Sequence, residues 1–204
     1  MPVELQRIEV GPWPMNCYLL RCPVSGEVAI VDPGADAEII LMAVDHASVC
    51  SILLTHGHPD HVGALEEVRN TLGVPVGIHA ADAEAFGLRA DYSLAGGKDV
   101  EVGRSRVGVV HVPGHTPGSV CLRLNGRAVV GDAIFPGGPG HTISPEALEQ
   151  SLESLRREVF VWADDVELHP GHGGCTTVGA ERVAFERFVT SERPSDLCGD
   201  VAWR

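Results

Sequence analysis

Residues 55–61 read Thr-His-Gly-His-Pro-Asp-His, three imidazoles and a carboxylate in one short stretch. Imidazole nitrogen and carboxylate oxygen are donors that zinc and iron accept, and no thiolate interrupts the run. His56 and His58 stand at i and i+2 directly after the apolar run Ser51-Ile52-Leu53-Leu54, so an extended chain projects both to one side. Asp60 and His61 follow where the chain must turn into a helix, and they point elsewhere. One loop can therefore feed two adjacent metal positions.

Three more donors share this local design. His115 lies in Pro113-Gly114-His115-Thr116-Pro117-Gly118, after the apolar run Val107 to Val112. Asp132 follows Val129-Val130-Gly131, and His172 sits in Leu168-His169-Pro170-Gly171-His172-Gly173. Each donor comes just past a strand-like run and beside glycine, which lets backbone approach a crowded centre. A single such placement is cheap by chance; four in succession are not.

Other polar residues read as less specific. His111 and His169 lie within strand patterns and are expected to be core or supporting histidines. His46, His79 and His141 are given no metal role. Cys175 is expected to be an ordinary thiol near the site, and Asp32, before Pro33-Gly34, a structural or supporting carboxylate. The glycine-rich segment Phe135 to Thr142 lacks the lysine of a P-loop. It reads as a wall of a substrate cleft or as a plain surface loop.

The elements that must hold these residues alternate along the chain. Val3 to Val10, Asn16 to Cys22 and Glu27 to Val31 read as strands, and Ala37 to Val44 as a helix. Ser51 to Leu54 reads as a buried strand. Leu65, Val68 and Leu72 mark a helix ending at Gly73. Val74 to His79 is a strand and Ala80 to Phe86 a helix. From Asp99 the pattern is β again: Val100 to Val102, Val107 to Val112, Ser119 to Leu124 and Arg127 to Val130. Ser144-Pro145-Glu146 has the form of N-cap, N1 proline and first-turn acid. Leu148, Leu152, Leu155 and Val159 then continue one apolar helical face. Val166 to Leu168 is a last strand and Ala180 to Val189 a last helix. This order predicts two mixed β-sheets packed face to face with helices on the outer faces, an αββα four-layer sandwich. No linker composition divides residues 1–204, so one domain is expected.

The 204 residues carry a formal net charge of −13, which disfavours nucleic acid and anionic membrane as partners. No apolar stretch reaches the roughly 18–20 residues of a membrane span. The N-terminus reads as a strand and not as a signal peptide, so a cytoplasmic location is expected. Six scattered cysteines without a CxxC pair give neither a disulfide framework nor a zinc knuckle. A small-molecule substrate is the remaining partner class, and nothing in the pattern specifies an oligomeric state.

The series His56-x-His58-x-Asp60-His61, then His115, Asp132 and His172, resembles the metallo-β-lactamase fold superfamily over nearly the whole chain. Gly131-Asp132 and Pro170-Gly171-His172-Gly173 are similar to the glyoxalase II-like (hydroxyacylglutathione hydrolase-like) hydrolases rather than to true β-lactamases. The resemblance implies His56, His58 and His115 on one metal, Asp60, His61 and His172 on a second, and Asp132 shared. It implies a metal-dependent hydrolase of thioesters or esters, in which a hydroxide bridging two divalent ions attacks the carbonyl and Asp60 orients the nucleophile. Zinc is the expected ion, with iron or manganese as alternatives. Two divalent ions, two aspartates and one hydroxide leave a net positive centre, suited to an anionic intermediate. About thirty residues follow His172, room for one helix and a tail. A member without the C-terminal glutathione-binding extension is therefore expected. Gly140-His141-Thr142 also stands where those enzymes often carry an Arg-Thr-Asp-type segment. Two other classes fit part of the pattern. A mononuclear iron persulfide dioxygenase would need only His56, His115 and Asp132, and a non-catalytic metal-binding module would need no substrate site. The complete second donor set weighs against both.

Overall fold

The computed structural model describes residues 2–203. A first six-stranded sheet contains β1 (Glu4–Val10), β2 (Met15–Arg21), β3 (Val28–Val31), β4 (Val49–Leu53), β5 (Val76–Ile78) and β6 (Tyr92–Ser93), paired in that order. The pairings β1–β2 and β2–β3 are antiparallel, and β3–β4, β4–β5 and β5–β6 are parallel. The parallel half needs helical crossovers, and α1 (Ala37–Ala43), α3 (Leu65–Leu72) and α4 (Ala80–Ala85) supply them, with the short α2 (Pro59–Val62) before α3.

A second sheet contains β7 (Asp99–Val102), β8 (Ser105–His111), β9 (Val120–Leu124), β10 (Arg127–Gly131), β13 (Glu167–Pro170) and β14 (Thr176–Thr177), ordered β14-β13-β10-β9-β8-β7. Between β10 and β13 come a small hairpin, β11 (Ile134–Phe135) with β12 (Gly138–Pro139), and the helix α5 (Pro145–Ser154). The chain closes with α6 (Val178–Thr190).

The two-residue period of buried strands sorts the side chains into layers. From β2 and β3, Tyr18, Leu20, Ala29 and Val31 meet Val107, Val109, Val120, Leu122 and Val129 of the other sheet. Their sequence neighbours Cys17, Leu19, Val28 and Ile30 face the opposite way, against Ile40, Leu65 and Val68 of α1 and α3. On the far side Ala128, Val130 and Leu168 pack on Leu148, Leu152 and Phe185 of α5 and α6. Three apolar layers between four layers of structure make the αββα sandwich that the pattern predicts.

The differences from expectation are local. Gly73 ends α3 in the left-handed region at φ 67°, and Ser144 Oγ accepts from Ala147 N to cap α5, as predicted. Regular α geometry stops at Ser154, however, and Leu155–Val159 widen into a π-turn. Leu148, Leu152, Leu155 and Val159 still share one buried face. The two-residue strands β6, β11, β12 and β14 were not expected, because two residues carry no readable period. Part of the segment 135–142 is therefore a hairpin, tied down by Gly137 N donating to Glu181 Oε2 at 3.0 Å.

Candidate metal centre

The predicted donors sit at the C-terminal ends of four strands. His56 and His58 follow β4, His115 lies between β8 and β9, Asp132 follows β10 and His172 follows β13. His58 is the N-cap of α2 and Pro59 its first-turn proline, so the helix starts inside the motif. Asp60 and His61 ride on that helix and turn to a different side.

The structure brings all seven side chains into one cluster at the end of the sandwich. His115 Nε2 lies 2.9 Å from His58 Nδ1 and 3.3 Å from His56 Nε2, and those two are 3.2 Å apart. Beside this triangle, Asp60 Oδ2 lies 3.0 Å from His172 Nε2, and Asp60, His61 and His172 form a second compact group. Asp132 stands between the groups. Its Oδ1 is 3.3 Å from His61 Nε2, and its Oδ2 is 3.7 Å from His172 Nε2 and 3.9 Å from His115 Nε2.

The outward nitrogens of four rings are engaged. Thr55 Oγ1 is 3.1 Å from His56 Nδ1, and Asp32 Oδ2 is 3.0 Å from His61 Nδ1. The carbonyls of His141 and Pro14 accept from His115 Nδ1 at 2.8 Å and His172 Nδ1 at 3.0 Å. A neutral ring donating at one nitrogen keeps its lone pair at the other, and here that other nitrogen faces the cluster. Burial, more than any neighbouring charge, presses the pKa of His56, His58 and His115 below the ordinary histidine value, so all three are neutral at pH 7.

His61 goes the other way. Burial opposes its charge, yet the carboxylates of Asp132 and Asp32 carry it up to about 10. Asp132 is held below the usual carboxylate range: burial works against its charge, and His61, His115 and His172 outweigh it. Still, His61 Nε2 and Asp132 Oδ1 are both buried without an aligned hydrogen bond. Converging lone pairs and two orphaned buried donor atoms are what a cation would satisfy, and the donor set fits divalent ions. A metal on His61 Nε2 would replace the proton held there.

The local backbone explains the glycines. A Cβ on Gly171 would collide with Asp132 Oδ1 and the His61 ring, and one on Gly34 with the Asp60 carbonyl. Gly131 has φ 49°, and a Cβ there would lie 2.5 Å from Thr55 Oγ1.

Several supporting residues escape sequence reasoning. Asp82, on α4 and fully buried, accepts from Gly57 N at 2.9 Å, Gly118 N at 2.6 Å and Thr116 Oγ1 at 2.8 Å, bracing the His56 loop against the His115 loop. Asn16 Nδ2 donates to the carbonyls of Pro170 and Gly173, and Tyr18 Oη to that of Pro170, pinning the His172 loop to the opposite sheet. No spacing marks these residues, because their partners, mostly backbone atoms, lie far along the chain. Asp32 occupies the supporting position expected of it, and accepts from Thr55 N at 2.7 Å as well. His111 Nε2 meets the Pro117 carbonyl at 2.9 Å and its ring stacks on His79, while His169 faces Cys175.

A model of the metallo-beta-lactamase superfamily matches residues 10–172. The chain belongs to this superfamily. Curated relatives include a hydroxyacylglutathione hydrolase of Anaeromyxobacter dehalogenans, 39% identical over 76% of this chain and 60% of the relative's length. The hydroxyacylglutathione hydrolase GloC of Haemophilus influenzae is 30% identical over 88% of this chain and 95% of the relative. Among solved structures, the BLEG-1 B3 metallo-beta-lactamase superposes with TM-score 0.79 at 29% identity, over 92% of this chain and all of that one. TTHA1623 in a di-iron-bound form superposes with TM-score 0.70 at 31% identity, over 87% and 96%. The superfamily comprises metal-dependent hydrolases and related enzymes, and this member is glyoxalase II-like in its relatives.

Proposed function

We propose that this protein is a dinuclear metal-dependent hydrolase of thioesters or esters. The observation that carries the reading is the division of seven donors into two adjacent sets with the Asp132 carboxylate between them. His56, His58 and His115 would hold one ion, Asp60, His61 and His172 the other, and Asp132 would serve both. Zinc suits the donors best, and iron and manganese also accept them; the di-iron form of TTHA1623 supports a pair of ions on this fold. When bound, such ions polarise a carbonyl and lower the pKa of water to about 7.

The protein's own groups do the rest. Asp60 is half exposed at the mouth of the centre, with Oδ2 turned to His172. There its carboxylate can accept a hydrogen bond from the attacking water and hold it in line with the carbonyl. Asp32, Thr55 and the carbonyls of Pro14 and His141 keep the imidazoles from turning. A mainly apolar pocket of about 360 Å³ opens beside Asp60, lined by Val10, Trp13, Met15 and Ala35, and it would take an apolar part of the substrate. The hydroxyacylglutathione hydrolase relatives support a thioester as the bond cleaved.

Metal analysis of freshly purified protein, joined to turnover on a panel of thioesters and esters, tests the reading. Near two ions per chain and thioester hydrolysis lost on chelation are expected. Full activity in stripped protein would overturn it. One iron per chain with oxygen consumption on a persulfide would replace it by the dioxygenase reading.

A further inference from the structure

Beyond the metal centre, the edge of the second sheet assembles a second set of reactive side chains. Strands β13 and β14 pair antiparallel, Glu167 with Thr177 and Leu168 with Thr176. The same register, carried one step further, sets Cys175 opposite His169. Glu167 and His169 are i and i+2 on β13, so they share a face. Their atoms form a chain: Cys175 Sγ lies 3.1 Å from His169 Nδ1, and His169 Nε2 lies 3.3 Å from Glu167 Oε2. His169 Nε2 is buried with no aligned hydrogen-bond partner, whereas Cys175 is the exposed cysteine among the six. Arg7 reaches across from β1 and donates to the Gly173 carbonyl at 3.1 Å, which places a cation beside the thiol.

We infer that Cys175 is a reactive thiol with His169 as its base and Glu167 behind it, a site of exchange with small anionic disulfides. Attack of Sγ on a disulfide sulfur forms one S–S bond, breaks another and releases one thiol. The Cys175 proton passes to His169 Nδ1 and leaves with the departing thiolate, so no further oxidant is needed. Burial pushes the Cys175 thiol up, the Arg7 cation pulls it back and Glu167 pushes it up. The resting proton therefore stays on sulfur, and a base is required for the thiolate to form. Burial, with Arg127 and Arg7, holds the His169 imidazole below its ordinary pKa, so Nδ1 rests as a free acceptor. Glu167 on the far nitrogen opposes them and steadies the transient imidazolium, and Arg7 supplies the charge that draws an anionic partner.

Intact-mass analysis of the metal-loaded protein, incubated with oxidised glutathione, reads this directly. Peptide mapping should place the first adduct on Cys175, ahead of the partly buried Cys50 and Cys198. His169→Asn should slow that adduct about a hundredfold, the low end for loss of a general base. Arg7→Gln should slow reaction with oxidised glutathione and leave reaction with the cationic disulfide cystamine unslowed. Circular dichroism and metal content of each variant show whether its fold is intact. An adduct appearing first on another cysteine, or an unchanged Cys175 rate in folded His169→Asn protein, would overturn the inference. Equal slowing of both disulfides by Arg7→Gln would remove the anionic preference.

Discussion

Four imidazoles of the cluster have one nitrogen turned inward and the other held, by Thr55 Oγ1 for His56, Asp32 for His61, and the carbonyls of His141 and Pro14 for His115 and His172. Only Asp32 among these holders is charged, and it grips Thr55 as well. Asp32→Asn keeps the shape but can present an N–H to His61, which loosens the ring and weakens its basicity. Affinity for the second ion should fall about 10–100-fold, the usual cost of losing such a partner. Titration against a chromophoric chelator measures it, and an unchanged affinity would show that His61 is positioned by packing alone. Asp82 has a different role: its carboxylate satisfies two backbone amides and a hydroxyl in a buried space. Asp82→Ala leaves the two amides unpaired, while Thr116 Oγ1 keeps Ser119 Oγ at 2.7 Å, and should cost about 3 kcal/mol of stability. Urea denaturation of the metal-free variant would reveal that loss, and a midpoint equal to the parent's would contradict the bracing role. The seven side chains that cluster were legible in the sequence because each is of a metal-binding type placed just past a strand-like run. The holders were mostly not, since a carbonyl of Pro14 or His141 has no signature of its own.

Strand ends decide where the donors go, and glycine decides how close they come. The runs before His56 and Asp132 could be read as strands because they are short, continuous and apolar, and those before His115 and His172 because buried and more exposed residues alternate along them. Their pairing could not be read, since β10 and β13 are joined across 35 intervening residues and α5. The closeness of two loops from different sheets was equally hidden. Gly171 shows the consequence: it lies against Asp132 and His61, which are remote in sequence. Gly171→Ala should displace Asp132 and lower metal content while far-UV circular dichroism keeps the parent's shape. Wild-type metal content in that variant would mean that the loop yields instead. By contrast, Ser144→Ala removes a helix cap whose hydroxyl serves Ala147 N and should cost about 1 kcal/mol in denaturation, with metal content unaltered.

At the scale of the molecule the cluster joins the two sheets. His56, His58, Asp60 and His61 hang from the first sheet, and His115, Asp132 and His172 from the second. Each ion of the proposed pair would therefore draw ligands from both, and would cross-link the sandwich at one end. Direct bonds between the sheets already gather there: Val120 N donates to the Thr55 carbonyl and Asn16 N to the Gly171 carbonyl. Without cations the same end holds converging lone pairs and the unpartnered atoms of His61 and Asp132, so it is the end with most to gain from binding. A ligand at 100 times its dissociation constant adds about 2.7 kcal/mol per site to the folded state. That gain belongs to the loops the metals join. Hydrogen exchange compared between metal-loaded and chelated protein should then change most in residues 55–63, 113–119, 131–142 and 169–174. The turns at the other end, Pro23 to Gly26, Gly103 and Asn125-Gly126, should exchange alike in both forms. Equal change at the two ends would mean that the ions stabilise the sandwich as a whole and do not act as a clasp between its sheets.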